Sequence, residues 1–393
     1  MALKFIKPEI NFREKLAELD KPSGIAGEAM LRAETPQEQF NLIGAGRHRI
    51  NHNGAMNIWQ RGTSFSSVSA PAYHTDRHQT YVSNTATGRS TISRSTDAPS
   101  GFGYSYKLEV TTADTSLAAG AEYGLYHYFE GQDLQGIKKG MPDALPLTFS
   151  FWVKSSLTGK FVVELMDNDN SNRHCNRPYY INSANTWEYK TITFPSDTTG
   201  VLANDNGNSF HFNFWHGGGS GFSGSSLQEN WGALNQAGRA DGQVNVYGTN
   251  GATWQVTGVQ LEVGKVATPF EHRSYGEELH LCQRYLYYVG LQGVNYKYMP
   301  CAGTIYTPSN AYTMWKYPRT MRAVPALNYS DATDFQTVSG GAVRNTTAIT
   351  LSGSSFTDSA VVIFVASGAD QGHGVLIRSD ENTDVFISFD AEF

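Results

Sequence analysis

Residues 149–154 read FSFWVK, and their alternation decides the fold class. Phe149, Phe151 and Val153 alternate with Ser150, Trp152 and Lys154. Successive side chains of a β-strand point to opposite sides of the pleat, so this period of two is that of a strand with one buried face. The same period returns at Phe161, Val163 and Leu165, at Phe210, Phe212 and Phe214, and at Val259, Leu261 and Val263. Turn-forming clusters separate these runs, among them Asp167-Asn168-Asp169-Asn170 and Asn204-Asp205-Asn206-Gly207. No helical pattern of ten residues lies between them, so antiparallel sheets are expected rather than βαβ units.

Composition agrees. Charged residues are 17% of the 393, under the ~25% of an average soluble chain, while aromatics reach 12% and glycine 39 residues. A disordered chain would have few aromatics and a high net charge, and here the net charge is −6. Lys and Arg total 30 against 36 Asp and Glu, so there is no basic bias toward nucleic acid. No apolar run reaches the ~18 residues of a membrane span, and MALKFIKPEINFREKL shows no apolar core of a secretory signal. Cys175, Cys282 and Cys301 are too few and too scattered for a disulfide framework or a zinc site, and are expected to be buried thiols.

The first 46 residues differ from this β-rich body. They alternate in charge and carry two helix starts, Asn11 with Glu14 and Thr35-Pro36-Gln37-Glu38. Helices this short are marginal alone, so the segment is expected to dock on something larger. A further capping box, Ser274-Tyr275-Gly276-Glu277, opens EELHLCQRYLYY, in which Leu279, Cys282 and Leu286 share a helical face. Strands follow at 360–366, 374–378 and 384–393. The reading divides the chain into an N-terminal segment (1–50), an antiparallel β-sandwich (51–275) that the resemblance given below makes a jelly roll, a connecting helix (276–290) and a smaller C-terminal β domain (291–393).

Signals of catalysis are poor. The Gly-Phe-Ser-Gly of 221–224 lies in a glycine-rich run, HGGGSGFSGSS, with no helix after it, and reads as a flexible loop rather than a nucleophile elbow. No catalytic residue, metal-ligand set or cofactor motif can be nominated. The Asp167–Asn170 run reads as a turn, with a structural calcium as the next reading. Sugar binding is the better-supported chemistry, because it needs only exposed aromatic rings beside Asn, Asp or Gln. The candidates are Trp215 on the polar side of its strand, Trp187, Tyr179 and Tyr180 after the acidic loop, and Asp167 and Asp169 within it; Trp152 also faces away from the apolar side. Arg61 and Arg77 are expected to pair near Asp76. Glu262 lies between apolar residues, so it needs a cation or several donors, with Arg61 or Arg77 as the expected partner.

Two stretches resemble a known family. NHNGAMNIWQRGTSF at 51–65, followed by YHTDRH at 73–78, is similar to the opening of bacteriophage tail-fibre and related virion proteins with a carbohydrate-binding-module-like jelly roll. Asn53, Gly54, Met56, Gln60, Arg61, Gly62, Asp76 and Arg77 match that opening, while His78 stands where tryptophan is usual. The closing stretch, QLEVGKVATPFE at 260–271, matches through Gln260, Leu261, Glu262, Gly264, Ala267, Thr268, Pro269 and Phe270. The resemblance implies a virion protein that attaches to the host surface by noncovalent recognition of a glycan or protein, without catalysis. It also implies anchoring to other virion proteins through residues 1–46, assembly as a homotrimer, no membrane insertion and no nucleic-acid partner. A purely structural head-fibre, collar or adaptor piece, and a polysaccharide-degrading tail spike, are the alternatives it leaves.

Overall fold

Apolar residues at every second position force each strand to bury one face, and two sheets facing one another satisfy all of them at once. The computed structural model describes residues 49–290, 296–381 and 384–393. The expected helices near Asn11 and Thr35, and the anchoring segment as a whole, lie outside the described residues.

The first twelve strands are β1 (Ser64–Val68), β2 (Ala72–Thr75), β3 (His78–Val82), β4 (Arg89–Ser95), β5 (Ser105–Thr112), β6 (Glu122–Glu130), β7 (Leu147–Ser155), β8 (Gly159–Asp167), β9 (Arg173–Ile181), β10 (Glu188–Phe194), β11 (Asn208–Gly218) and β12 (Thr253–Val263). They form two antiparallel six-stranded sheets, ordered β1-β4-β5-β12-β7-β10 and β2-β3-β6-β11-β8-β9. From β5 onward the chain crosses repeatedly between them, the jelly-roll arrangement expected from the sequence. Phe149, Phe151, Val153, Phe161, Leu165, Phe210, Phe212 and Phe214 all face the shared core and are fully buried.

The opening motif closes this sandwich. The Asn51 side chain donates to Val259 O and accepts from Leu261 N, both at 2.9 Å, so it acts as one more rung beside β12. Asn53 has φ 51°, and its amide ties Ile58, Thr75 and the Asp76 carbonyl together. Gly54 is needed because a Cβ there would stand 2.0 Å from Val259 O. Arg49 pairs with Glu278, both buried.

Glu278 lies on α1 (Tyr275–Cys282), where Ser274 Oγ accepts from Glu277 N at 3.2 Å as its capping box requires. The helix is shorter than expected. Residues 286–290, read as its continuation, form β13 (Leu286–Gly290), paired with the last strand. Tyr287-Tyr288-Val289 suits a pleated surface better than a helix, and β13 belongs to the C-terminal sheets.

The remaining strands are β14 (Ala302–Thr307), β15 (Asn310–Lys316), β16 (Ala326–Tyr329), β17 (Phe335–Ser339), β18 (Ala342–Asn345), β19 (Ala348–Leu351), β20 (Ser359–Val365), β21 (Gly374–Ser379) and β22 (Phe386–Asp390). They form a three-stranded sheet, β13-β22-β16, and a seven-stranded sheet, β18-β17-β21-β14-β15-β20-β19. Trp315, Phe335, Phe364, Ile377, Ile387 and Phe389 build the core between them.

The last residues lock onto the sandwich. Arg77 pairs with Glu392, and its guanidinium lies 3.3 Å from the centre of the Tyr285 ring and donates to Tyr128 O at 2.6 Å. Arg61 donates to Asp390 Oδ2 at 2.8 Å. The two motif arginines therefore pair with carboxylates at the end of the chain rather than with their neighbour Asp76, which accepts from Gln60 N and Gln60 Nε2. Glu262 departs from expectation too. It is fully buried and takes Thr268 N, Thr268 Oγ1 and Gln260 Nε2, so several neutral donors replace the expected arginine. The three thiols are buried and free, as expected.

Two outcomes follow from this packing. Arg77→Ala leaves buried Glu392 with only Arg61, at 4.0 Å, as its counterion, which costs about 3 kcal/mol; urea unfolding should show that loss, and amide exchange should rise first in β22. Burial also holds several histidines below their ordinary value of 6.5: His78, His211 and His216 at about 3, His74 at about 4, and His52 and His127 well down. The unfolded chain takes up these protons near pH 6.5 and the folded chain does not, so their contribution is full above that pH and is lost as pH falls. Asp76, Glu122 and Glu392, which burial pushes up, act in the opposite sense but are outnumbered by the six histidines. The urea midpoint should therefore drop between pH 7 and pH 5.5.

Candidate functional site

Strand β7 decides what its sheet presents to solvent. With Phe149, Phe151 and Val153 inward, Trp152 and Lys154 face out. The register sets Tyr189 of β10 and Thr257 of β12 beside Trp152, and Gln255 beside Lys154. The Trp152 and Tyr189 rings lie 5.3 Å apart, and Tyr189 is 45% exposed. A bulge in β12 places Gly258 at φ 63°, where a Cβ would meet the Phe102 ring at 2.7 Å and Trp152 at 3.2 Å. The glycine leaves room for both the Phe102 ring and Trp152 against it. Phe102 in turn packs on Phe270 at 5.0 Å and on the exposed His272 at 5.2 Å. An aromatic ribbon thus crosses the outer face of the first sheet.

A polar cluster flanks the ribbon. Asp97 Oδ2 accepts from Lys154 Nζ at 2.7 Å and Gln255 Nε2 at 3.3 Å, and Oδ1 accepts from the indole of half-buried Trp187 at 3.0 Å. What burial Asp97 has works against its charge, but the hydrogen bonds from Lys154, Trp187 and Gln255 outweigh it and hold the carboxyl below its ordinary range. Flat apolar ring faces beside a fixed carboxylate, an ammonium and an amide are the elements that grip a sugar, whose C–H face stacks while its hydroxyls bond at the edge.

The opposite outer face, on the second sheet, holds Trp215, and here the expectation of an exposed platform fails. Trp215 is fully buried, because the glycine-rich run folds back over it instead of standing free: Gly219 N donates to Ala121 O at 2.8 Å, Ala240 N donates to Phe222 O at 2.9 Å, and Phe222 packs on the indole. A Cβ at Gly219 would stand 1.9 Å from Ala118 O, so only glycine permits this approach. Arg239 clamps the loop. It donates to both oxygens of Glu164 at 2.9 and 2.7 Å, and lies 4.9 Å from the centre of the Trp215 ring. Asn235 N donates to His174 Nε2, so the proton sits on Nδ1, which donates to Glu164 at 3.2 Å. Burial pushes the Glu164 carboxyl up, but Arg239 brings it down to about 2.

The other sequence candidates scatter. Tyr179 points into the core and accepts from Trp254 Nε1 at 3.3 Å, so it is not a platform. Tyr180 is exposed, but at the far end of β9 beside Lys160. Asp167 is buried and caps its own turn by accepting from Asp169 N and Asn170 N. The Lys139 ammonium fills the cation position of that loop, between Asp167, Asp197 and the carbonyls of Thr199 and Gly200. Asp169 is exposed and accepts from Ala203 N at 2.9 Å. Among the described residues no group of three or more His, Cys, Asp or Glu is arranged to hold a metal ion. Of the aromatic sequence candidates, Trp187 and Trp152 lie along this outer face of the first sheet. Asp97, Tyr189 and Phe102 escaped the sequence reading; Phe102 lies in a Pro-Ser-Gly-Phe-Gly turn, where nothing marks a ring as part of a surface.

No family model matches the sequence, and no curated protein matches it. Among solved structures, the enzymatically active domain of tailspike protein 4 of bacteriophage CBA120 is similar with TM-score 0.29 and 12% identity, over 55% of this chain and 21% of that one. A family 4 carbohydrate-binding module gives TM-score 0.27 and 11% identity, over 55% of this chain and 99% of that one. A family 11 carbohydrate-binding module of a Clostridium thermocellum cellulase gives 0.26 and 11%, over 53% and 100%. The chain thus spans about a fifth of the tailspike's length. At these scores the likenesses say nothing of what the chain does.

The two outer faces should respond differently to mutation. Arg239→Ala strands a buried carboxylate and should cost about 3–5 kcal/mol. Asp97→Asn weakens a solvent-screened cluster and should cost under about 1 kcal/mol. Urea unfolding of both variants measures the contrast.

Proposed function

We propose that this chain is a noncatalytic glycan-binding protein of a phage virion, a tail fibre or related appendage, that holds host-surface polysaccharide on the aromatic ribbon of its first sheet. The observation that carries the binding is the Tyr189–Trp152 ring pair, with Phe102 and Trp152 both against Gly258 and the Asp97–Lys154–Gln255 cluster along the edge. In a solvated sheet face these positions would carry small polar or charged side chains, and aromatic rings there have a cost in water that a ligand offsets. The virion setting rests on the match of residues 51–78 and 260–271 to tail-fibre sequences, with residues 1–46 as the anchor to other virion proteins.

The test is a glycan array and titration calorimetry with host-surface polysaccharides. Each stacked ring is worth about tenfold in affinity, or ~1.4 kcal/mol. Trp152→Ala with Tyr189→Ala should therefore weaken binding about a hundredfold, while the melting temperature stays near that of the parent. Binding that survives both substitutions would place the ligand elsewhere, and release of reducing sugar would point to a degrading spike.

A further inference from the structure

The turn at the end of β8 holds a group of reactive side chains that sugar binding does not use. Lys139 follows the 3-10 turn Gly131–Ile137, Asp167 ends β8, and Asp197 lies just after β10. All three are nearly out of water: the side chain of Lys139 is 3% exposed, that of Asp167 0% and that of Asp197 5%. The Lys139 ammonium touches Asp167 Oδ2 and lies 2.9 Å from Asp197 Oδ2. It also donates to Thr199 O at 2.9 Å and to Gly200 O at 3.1 Å. Apolar groups surround it. The Trp231 ring centre lies 5.3 Å from Nζ, and Ile137, Leu145, Leu147 and Phe210 line the same small cleft. Arg173 donates to both oxygens of Asp197, at 3.2 and 3.0 Å, and so fixes its direction. The other oxygen of Asp167, Oδ1, accepts from Asp169 N at 3.0 Å and from Asn170 N and Asn170 Nδ2 at 3.1 Å each.

We infer that Lys139 and Asp167 condense to an amide, a covalent crosslink that the folded chain forms within itself. The parts of an acyl transfer are in place. Lys139 Nζ is the nucleophile, and the Asp167 carbon it attacks carries the oxygen that Nζ already touches, so the reactants are held together by the fold. Charge developing on Oδ1 in the tetrahedral intermediate falls on three donors already aimed at that atom. Asp197, on the same ammonium, is the acid–base group. Nζ first passes a proton to Asp197, and the electron pair so freed forms the bond to the Asp167 carbon. A second proton moves from Nζ to Oδ2, and Asp197 returns the first to that same oxygen. The carbon–Oδ2 bond then breaks with its electron pair, and water leaves. Ammonium plus carboxylate thus becomes amide plus water, with one hydrogen left on nitrogen, Asp197 restored and no other reactant consumed. The product suits the site better than the ions do. Each ion out of water costs several kcal/mol of desolvation; the step removes Lys139 and Asp167 as charges and leaves Arg173 paired with Asp197. Oδ1, now an amide oxygen, keeps its donors Asp169 N and Asn170 N. The bond ties the segment ahead of β7 to the end of β8. It rests on this cluster alone and not on the glycan reading.

The test is the intact mass of the purified full chain, followed by proteolysis and tandem mass spectrometry. The chain should be lighter by one water than its sequence requires, and the digest should contain two peptides joined through Lys139 and Asp167. Lys139→Arg keeps a cation between the carboxylates but has no amine to acylate, so it should fold and show the full sequence mass. Asp197→Asn removes the proton acceptor, and crosslinking should slow by about 100-fold or more, read as the fraction of full-mass chain over time. A wild-type chain that keeps the full sequence mass after prolonged incubation, folded and at neutral pH, would overturn the inference. So would a water loss confined to one linear peptide, which marks a cyclic imide of aspartate, or a water loss that persists in Lys139→Arg. The mass and the joined peptides are read on the wild-type chain, so they decide the matter even where a variant fails to fold.

Discussion

Two arginines near the start of the sandwich and two carboxylates at the end of the chain hold this structure in register. Arg77 and Glu392 are both almost wholly out of water. Charges in that position are tolerated only when paired and further hydrogen-bonded, because desolvation costs several kcal/mol for each ion. Arg77 meets the requirement through Glu392, the Tyr128 carbonyl and the Tyr285 ring. Tyr285 in turn donates to Glu130, which Arg284 grips with two hydrogen bonds of 2.6 Å. The sandwich, the segment after α1 and strand β22 therefore settle together. The Arg61 and Arg77 part of this network is complete only with Asp390 and Glu392 in place.

The same rule separates the two outer faces of the sandwich. On the second sheet a carboxylate, Glu164, is buried, and a loop must bring Arg239 over it. That loop seals Trp215 in the process, and glycines at 219 and 221 allow the close approach to the backbone of Ala118 and Ala119. On the first sheet the carboxylate, Asp97, sits at the edge and water helps to solvate it, so no cover is needed and the rings stay open. Exposure of an aromatic ring here follows from where its neighbouring charge is solvated.

Much of the fold was legible. The period of two located the core strands residue by residue, because a strand cannot rotate its side chains to another face without shifting register. The Ser274 box and the final strand were legible for equally local reasons. The site was not. Trp215 and Trp152 occupy the same kind of position, facing outward next to an apolar row. Whether such a ring is covered depends on residues 219–243 or on nothing at all, and alternation carries no information on that. Glu262 shows the same limit: its burial could be read, but its donor Thr268 comes from the segment that follows β12, whose path the alternation does not set. Arg61 and Arg77 needed partners, and the partners were more than 300 residues away in sequence.

By itself the sequence determined the strand pattern, the inward set of each strand, the helix cap and the need of every buried charge for a counterpart, since these depend on backbone geometry and desolvation within a few residues. The tertiary structure alone decided which carboxylate meets which arginine, and which tryptophan is sealed and which lies open. Those outcomes depend on strand order and loop path, and both are settled by long-range packing that local alternation leaves undetermined.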